Sequence, residues 1–309
     1  MNRILKNYAK FFLRLIFNFF QKIGFDVLPR HFYSQVPNIR YLKKNEYWKY
    51  PSDMTNILGN DIIKIKKNFE NLFLVKDNTN FEAIHTEAVS KTTYDGGYGD
   101  IDSCVLYKFI IKEKPKKIIQ IGCGVSTFVI NKAINDNNID CIVTCIEPYP
   151  DNALKMLAKN GKIKLISKKA QNIINIKDYW SKNGKNFLFV DSTHSVSPGS
   201  EVNKIILEWL ASMPRNSLIH FHDIYFPYEY QRNILKTELF FSSETSILMA
   251  FLKFNQNFEI NICLSMLHYE YPEIIKKHIS HYEPRGNLFG LDVSNGKHFP
   301  SSIYLKKII

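Results

Sequence analysis

The sequence predicts an α/β protein built on a doubly wound, mostly parallel seven-stranded sheet with an N-terminal helical extension, and three observations carry that prediction. From residue 117 onward, short apolar segments alternate with helix-compatible ones. The first apolar segment, Lys117 to Ile121, runs into a glycine-punctuated turn, Gly122-Cys123-Gly124-Val125-Ser126-Thr127, and then into a helix-compatible run from Phe128 to Ile134. The second, Cys141 to Ile146, ends in Glu147. Strand–helix alternation at this spacing implies parallel strands covered on both faces. Right-handed crossovers leave few other topologies.

The elements follow in order. Strands are expected at 117–121, 141–146, 162–167, 186–191 and 216–222, with helices near 126–136, 150–159, 171–178 and 199–212 between them. Downstream, 243–254 reads as a helix, 258–265 as a strand and Ser302 to Ile308 as the last strand. Upstream, Asp61 to Leu74 reads as a helix, and Tyr94-Asp95-Gly96-Gly97-Tyr98-Gly99-Asp100 as a loop folded over the ligand mouth, before a helix from Ile101 to Lys112. Residues 26–100 form a wrap and covering loop, and 101–309 the main domain.

Residues 1–25 stand apart. Arg3, Lys6, Asn7, Lys10, Arg14, Asn18 and Gln21 recur at helical spacing, while Ile4, Leu5, Phe11, Phe12, Leu15, Ile16, Phe19, Phe20 and Ile23 fill the rest of the surface. The result is a basic amphipathic helix with a broad apolar face. It is too interrupted to span a bilayer, and no small-residue cleavage site follows. Its apolar face either docks on the domain or a partner, or lies on an anionic membrane surface.

Composition narrows the classes. The chain has 309 residues, 45% hydrophobic and 23% charged, as a globular protein does. Its five cysteines are scattered and no CxxC pair suggests a zinc site, so free thiols in a cytoplasmic setting are expected, extending to the inner membrane face through the first helix. Cys141 and Cys145 fall on one face of a predicted strand and read as core. The net charge of +12 is spread along the whole chain with no RNA-binding signature, which argues against a nucleic-acid partner.

Chemistry concentrates at the predicted strand ends, where ligands of such sheets sit. Gly122 and Gly124 admit backbone angles that other residues avoid and carry no Cβ to hold a ligand away. The N–H groups of the helix that follows would face that ligand. Glu147, at the tip of the second strand, suits a ribose hydroxyl, so an adenosine-type cofactor is expected. A dinucleotide site would prefer a third glycine where Thr127 stands. Asp191 ends the fourth strand with His194 three residues on, and Asp223 ends the fifth, preceded by His220 and His222, which share a sheet face. His220, deepest in its strand, reads as structural. His268, His278, His281 and His298 show no partner pattern and receive no role. Tyr94 and Tyr98, and after the fifth strand Tyr225, Tyr228 and Tyr230, are candidate pocket residues.

The run Gln120-x-Gly122-x-Gly124-x-Ser126 followed by Glu147 resembles motif I and its partner acid in class I S-adenosylmethionine-dependent methyltransferases, with their Rossmann-like fold. Phe189-Val190-Asp191-Ser192-Thr193-His194-Ser195-Val196 and His220-Phe221-His222-Asp223-Ile224-Tyr225-Phe226-Pro227 resemble a bacterial branch of the methyltransferase domain 24 type. So do His31-Phe32-Tyr33-Ser34 and the Glu244 to Leu252 helix, so the resemblance covers roughly 30–309. It implies S-adenosylmethionine bound by Gln120, Gly122, Gly124, Ser126, Glu147 and Gln171, the last at the adenine edge. Gln120 departs from the acid usual at its position and cannot pair with the cofactor ammonium. The resemblance also implies O-methylation of a small-molecule or saccharide hydroxyl, in surface-polysaccharide or secondary-metabolite synthesis.

An alcohol needs a base or a metal to give up its proton. Two assignments fit. Either His194 is the base, oriented by Asp191 or Asp223, with His222 beside them; or Asp191 and Asp223 hold a divalent cation, Mg²⁺ for carboxylates alone and Mn²⁺, Fe²⁺ or Zn²⁺ where imidazole joins. An RNA methyltransferase, a hydroxylase-like enzyme on the same scaffold and a membrane-attached binding module remain as alternatives, and nothing in the sequence sets the oligomeric state.

Overall fold

The computed structural model describes residues 3–34, 36–76, 79–93, 97–230, 240–285 and 297–309. The chain divides into two compact units, Met1–Asn45 and Glu46–Ile309. In the first, helix α1 spans Arg3–Lys22 without one acidic residue, and Phe11, Phe12, Leu15 and Phe19 are exposed along it. The short helix α2 (Ile39–Lys44) is capped by Asn38, whose Oδ1 accepts from Tyr41 N at 3.2 Å. Among the described residues no helix is long and apolar enough to cross a membrane.

The second unit opens with α3 (Ile62–Leu72) and α4 (Phe81–Val89), started by the side chains of Asp61 and Asn80, and then α5 (Asp100–Glu113). The alternating section follows: β1 (Lys117–Ile121), α6 (Val125–Asp136), β2 (Ile142–Ile146), α7 (Asn152–Lys159), β3 (Lys164–Ile166) and β4 (Asn186–Val190). Next come α8 (Glu201–Lys204), which runs through a π-turn at Ile205–Trp209 into α9 (Leu210–Ser212), and β5 (Leu218–Phe221). The chain closes with α10 (Glu244–Leu252), β6 (Phe258–Cys263), α11 (Leu264–Glu270), α12 (Pro272–His278) and β7 (Ile303–Lys307).

The seven strands form one sheet in the order β3-β2-β1-β4-β5-β7-β6. All pairings are parallel except those of β7, which enters antiparallel between β5 and β6. Because helices cover both faces, the central strands are apolar throughout rather than alternating: Ile118, Ile119, Phe187, Leu188, Phe189 and Ile219 are all buried. This is the Rossmann-like, mostly parallel seven-stranded sheet that the sequence predicts, with its chain reversal beside β1 and β4.

Two local expectations need correction. The helix expected over 171–178 is a pair of 3₁₀ turns, Ala170–Asn172 and Ile176–Tyr179. Asn172 and Asn175 compete for local backbone groups, and Ile173, Ile174 and Ile176 are β-branched, so the segment has little tendency to extend a helix. Cys145 is buried as expected, but Cys141 precedes β2 and is only half-buried.

The sheet is pinned at two places that matter for function. Asp191 N donates to Ile121 O at 3.0 Å, joining the ends of β1 and β4. Gly122 sits there at φ 75°, and a Cβ on it would lie 1.6 Å from the Asp191 carbonyl oxygen. Gly124, by contrast, has φ 178°, ordinary extended backbone, so only Gly122 requires glycine for its conformation. Beside the carboxyl end of β5, the buried Asp102 on α5 accepts from Ser301 N (3.2 Å) and Ser302 N (2.9 Å), which seats the start of β7.

Gly122→Ala is therefore expected to lower stability by at least about 2 kcal/mol, from the left-handed φ together with the forced separation of β1 and β4. Thermal unfolding reads it. Asp102→Ala, which orphans two buried N–H groups, is expected to cost about 2–4 kcal/mol in chemical denaturation, and Asp102→Asn, which keeps one acceptor oxygen, clearly less.

Candidate active site

The turn after β1 is built on internal hydrogen bonds. Gln120 is fully buried, and its Nε2 donates to Gly122 O (3.1 Å) and Ser126 Oγ (2.9 Å). Both Gln120 and Ser126 thus brace the turn from below rather than facing a ligand. Cys123 N donates to Glu147 Oε2 at 3.3 Å, and Gly124 N to Thr127 Oγ1 at 3.2 Å. The amides of Cys123 and Gly124, just before the helix, are thus occupied by this protein's own side chains.

Above the turn lies a cavity of about 520 Å³. Gly122, Glu147, Gln171 and Asp191 line it, four of the residues singled out in the sequence. Glu201, which the sequence analysis passed over, lines it too and accepts from Thr193 N (2.9 Å) and Thr193 Oγ1 (2.6 Å). The wall carries three carboxylates, on Glu147, Asp191 and Glu201, against a single ammonium, Lys169.

Beyond Asp191 the structure gathers the predicted cluster. His194 Nε2 lies 3.5 Å from Asp191 Oδ1 and 3.7 Å from Asp223 Oδ2, and His222 Nδ1 lies 3.5 Å and 3.7 Å from the Oδ1 atoms of the same two aspartates. His194 and Asp223 both hold left-handed backbone angles, φ 56° and 55°. Non-glycine residues adopt these only where the surroundings impose them, and they concentrate at functional sites. Ser301 Oγ donates to Asp223 Oδ1 at 2.9 Å, so the Asp102 clamp reaches the cluster through β7.

The expected orienting group is corrected. Neither aspartate holds the far side of His194: its Nδ1 is 2.7 Å from Glu244 Oε2, the first residue of α10 and 1% exposed. The His194 carbonyl accepts from Ser243 N and Glu244 N, which locks the loop to the helix start. This role is hard to read from sequence, because an acid opening an apolar helix reads as a dipole partner.

Burial opposes charge on both imidazoles, yet the surrounding carboxylates win. Asp191, Glu244 and Asp223 hold the proton affinity of His194 well above the ordinary histidine range, and Asp223 and Asp191 raise His222 to about 10. Burial drives Glu244 upward, with His194 opposing it. For Asp191 burial acts upward too, but the two histidines bring it below the usual carboxylate range. Both imidazoles lie 3.5–3.7 Å from Asp191 and Asp223, an arrangement open to an imidazole base and to imidazoles joining the aspartates around a cation.

The remaining candidates are placed plainly. His220 is fully buried, stacked on Phe189 at 4.2 Å between ring centres, with Tyr98 Oη at 3.2 Å and Ser302 Oγ at 2.9 Å, and burial pushes its pKa well below 6.5. It is structural, as expected. Tyr98 is also buried and packs against His222 from behind, so it does not line a pocket. Tyr94 lies outside the described residues. Tyr225 and Tyr228 are buried against Phe299 and Tyr269 rather than open to a cavity, and Tyr230 is half-buried. A second cavity, of about 540 Å³, is lined by Asp102, His222, Asp223 and Ser301, with Asp100, Arg285 and His298 further out. The cluster therefore separates two cavities, with Asp191 facing one and His222 and Asp223 the other.

Residues 119–224, about a third of the chain, match a family model described as a methyltransferase domain. A curated protein of Archaeoglobus fulgidus, described as uncharacterized, is 27% identical over 143 residues, and the match spans 44% of this chain and 64% of that protein's length. Among solved structures, the SAH-bound methyltransferase PaMTH1 of Podospora anserina is similar at 13% identity and a TM-score of 0.42, over 92% of this chain and 100% of that one. The O-methyltransferase TomG of Streptomyces achromogenes, involved in tomaymycin synthesis and solved with SAM, is similar at 10% identity and a TM-score of 0.43, over 79% of this chain and 96% of that one. Residues 119–224 thus match a methyltransferase domain model, and they lie within the Rossmann-like sheet of order β3-β2-β1-β4-β5-β7-β6.

Proposed function

We propose that this chain is an S-adenosylmethionine-dependent methyltransferase that O-methylates a hydroxyl of a small molecule or saccharide. The observation that carries the proposal is the acid-walled cavity at the glycine turn, abutting an imidazole–carboxylate array. Three carboxylates against one lysine favour a cationic ligand. The amides of Cys123 and Gly124, already bonded to Glu147 and Thr127, leave no anion cradle at that point for a pyrophosphate. That charge pattern fits a sulfonium nucleoside and disfavours a dinucleotide. Glu147 and Gln171 would hold its ribose and adenine ends, with Gln120 and Ser126 keeping the turn in shape.

When bound, S-adenosylmethionine supplies a methyl group already activated on sulfur, so the protein has to align the acceptor, exclude water and manage one proton. The acceptor occupies the cavity lined by His222 and Asp223. Asp223 presents its hydroxyl to the array, and His194, turned by Glu244 so that Nε2 points inward, takes the proton. His222 counters the charge of the two aspartates.

Calorimetry tests the cofactor: saturable binding of S-adenosylmethionine, with NAD silent, is expected, and the reverse would overturn the reading. Glu147→Ala is expected to weaken that binding by about 10–100-fold, the worth of hydrogen bonds to a charged acceptor. Isotopic methyl transfer to hydroxylated saccharides and small molecules tests the activity. Full turnover by a His194→Ala, Asp223→Ala double variant would sink the assigned roles. Steeply salt-dependent methylation of RNA in the same assay would replace the acceptor class.

The pH profile follows from the carboxylates. His194 must lose its proton before it can accept one, and three carboxylates hold that proton, so kcat is expected to rise with pH beyond the ordinary histidine range. Glu244→Gln removes one of those charges and should move the rise to lower pH. An unmoved limb would exclude His194 as the titrating base.

A further inference from the structure

We propose that Asp100, Cys104 and His281 form a binding site for a divalent transition metal, zinc above all, at the edge of the cavity that His222 and Asp223 line. Nothing in the sequence pointed to it, since Cys104 is one of five scattered cysteines and His281 shows no partner pattern. Asp100 opens α5 and Cys104 lies one turn on, so both face the same way. The turn after α12 brings His281 to that face, and one ligand atom from each residue lies within 4.8 Å of the others. His281 Nε2 is 3.2 Å from Asp100 Oδ2, and Cys104 Sγ is 3.8 Å from Asp100 Oδ1. These two separations run to different oxygens of Asp100; zinc bonds of about 2.0–2.3 Å in a tetrahedron put neighbouring ligand atoms roughly 3.3–3.8 Å apart, so a bound ion would draw the three ligand atoms together from within 4.8 Å.

Two details distinguish the site from a chance cluster. Nδ1 of His281 is buried without a partner among the described residues, and Nε2 faces only the Asp100 carboxylate, which is costly for an imidazole with nothing else to bind. His298 stands next to it in a different role. Its Nδ1 accepts from Glu283 N at 2.9 Å, so its neutral ring carries the hydrogen on Nε2, 3.7 Å from Asp100 Oδ2. It orients the carboxylate from outside, as outer partners do at metal sites, and is not itself a ligand.

The donor set decides the ion. One thiolate, one imidazole and one carboxylate suit zinc or its neighbours and not Mg²⁺ or Ca²⁺, which prefer oxygen throughout. Binding would release the Cys104 proton, now shared between Phe81 O at 3.5 Å and Asp100, to solvent. Three protein ligands leave a fourth tetrahedral position open, as catalytic zinc sites do. Asp100 borders the 540 Å³ cavity, so that position adjoins the space that a methyl acceptor would occupy. The metal site stands on its own geometry and survives the failure of the methyltransferase reading.

Cobalt titration of the metal-free full-length protein tests it. One equivalent of Co²⁺ should give a thiolate-to-cobalt charge-transfer band and intense tetrahedral ligand-field bands. Cys104→Ser should abolish the first, and His281→Gln should abolish or greatly weaken both. His298→Ala should loosen the metal about 10–100-fold without changing the spectrum. Circular dichroism checks that Cys104→Ser folds; if it does not, His281→Gln, in a surface turn, decides alone. No charge-transfer band, a band unchanged in the folded variants, or one lost in Asp223→Asn instead would overturn the site.

Discussion

The close approach of β1 and β4 at their carboxyl ends is the constraint on which the rest of the site depends. Asp191 N reaches Ile121 O, and the Asp191 carbonyl lies where any side chain larger than hydrogen at 122 would be. That contact does two things at once. It narrows the turn so that the Gln120 amide can close it from beneath, and it directs the Asp191 side chain to the boundary between the two cavities. Widening the gap would therefore displace the array together with the turn. A glycine here serves backbone packing first and ligand access second.

The array itself is an electrostatic compromise. Asp191, Asp223 and Glu244 would repel one another if the imidazoles between them were neutral, and an isolated buried carboxylate is expensive. Charged imidazoles at 194 and 222 relieve that repulsion, which is why their proton affinity rises despite burial. With both protonated, three carboxylates and two imidazolium rings leave one negative charge, facing a cavity whose wall is already acidic. The same charge that favours a cationic ligand keeps a proton on His194.

Much of this was legible in the sequence because it is local. Alternating apolar segments, the glycine turn and the acids closing β2, β4 and β5 each declare themselves within a few residues. All seven strands fall where the pattern puts them. What stayed hidden needs long-range contact. Glu244 reaches His194 across fifty positions, and Asp102 seats Ser301 and Ser302 from the far end of the chain. Tyr98 looked like a loop residue because glycines flank it, yet the fold turns it inward against His220 and His222. The segment at 171–178 misled for another reason: its spacing suits a helix while its asparagines and β-branched residues do not.

The second cavity shows how such long-range placement extends the chemistry. Its inner wall is the proton-handling array, and its outer wall is Asp100 with His298. Asp100 and Asp102 leave the first turn of α5 in different directions, one toward Cys104 and His281, the other into the clamp on β7. One helix start therefore positions both a candidate Lewis acid and, through Ser301, the carboxylate of Asp223. A hydroxyl lying between them would meet a polarising centre on one side and a proton acceptor on the other.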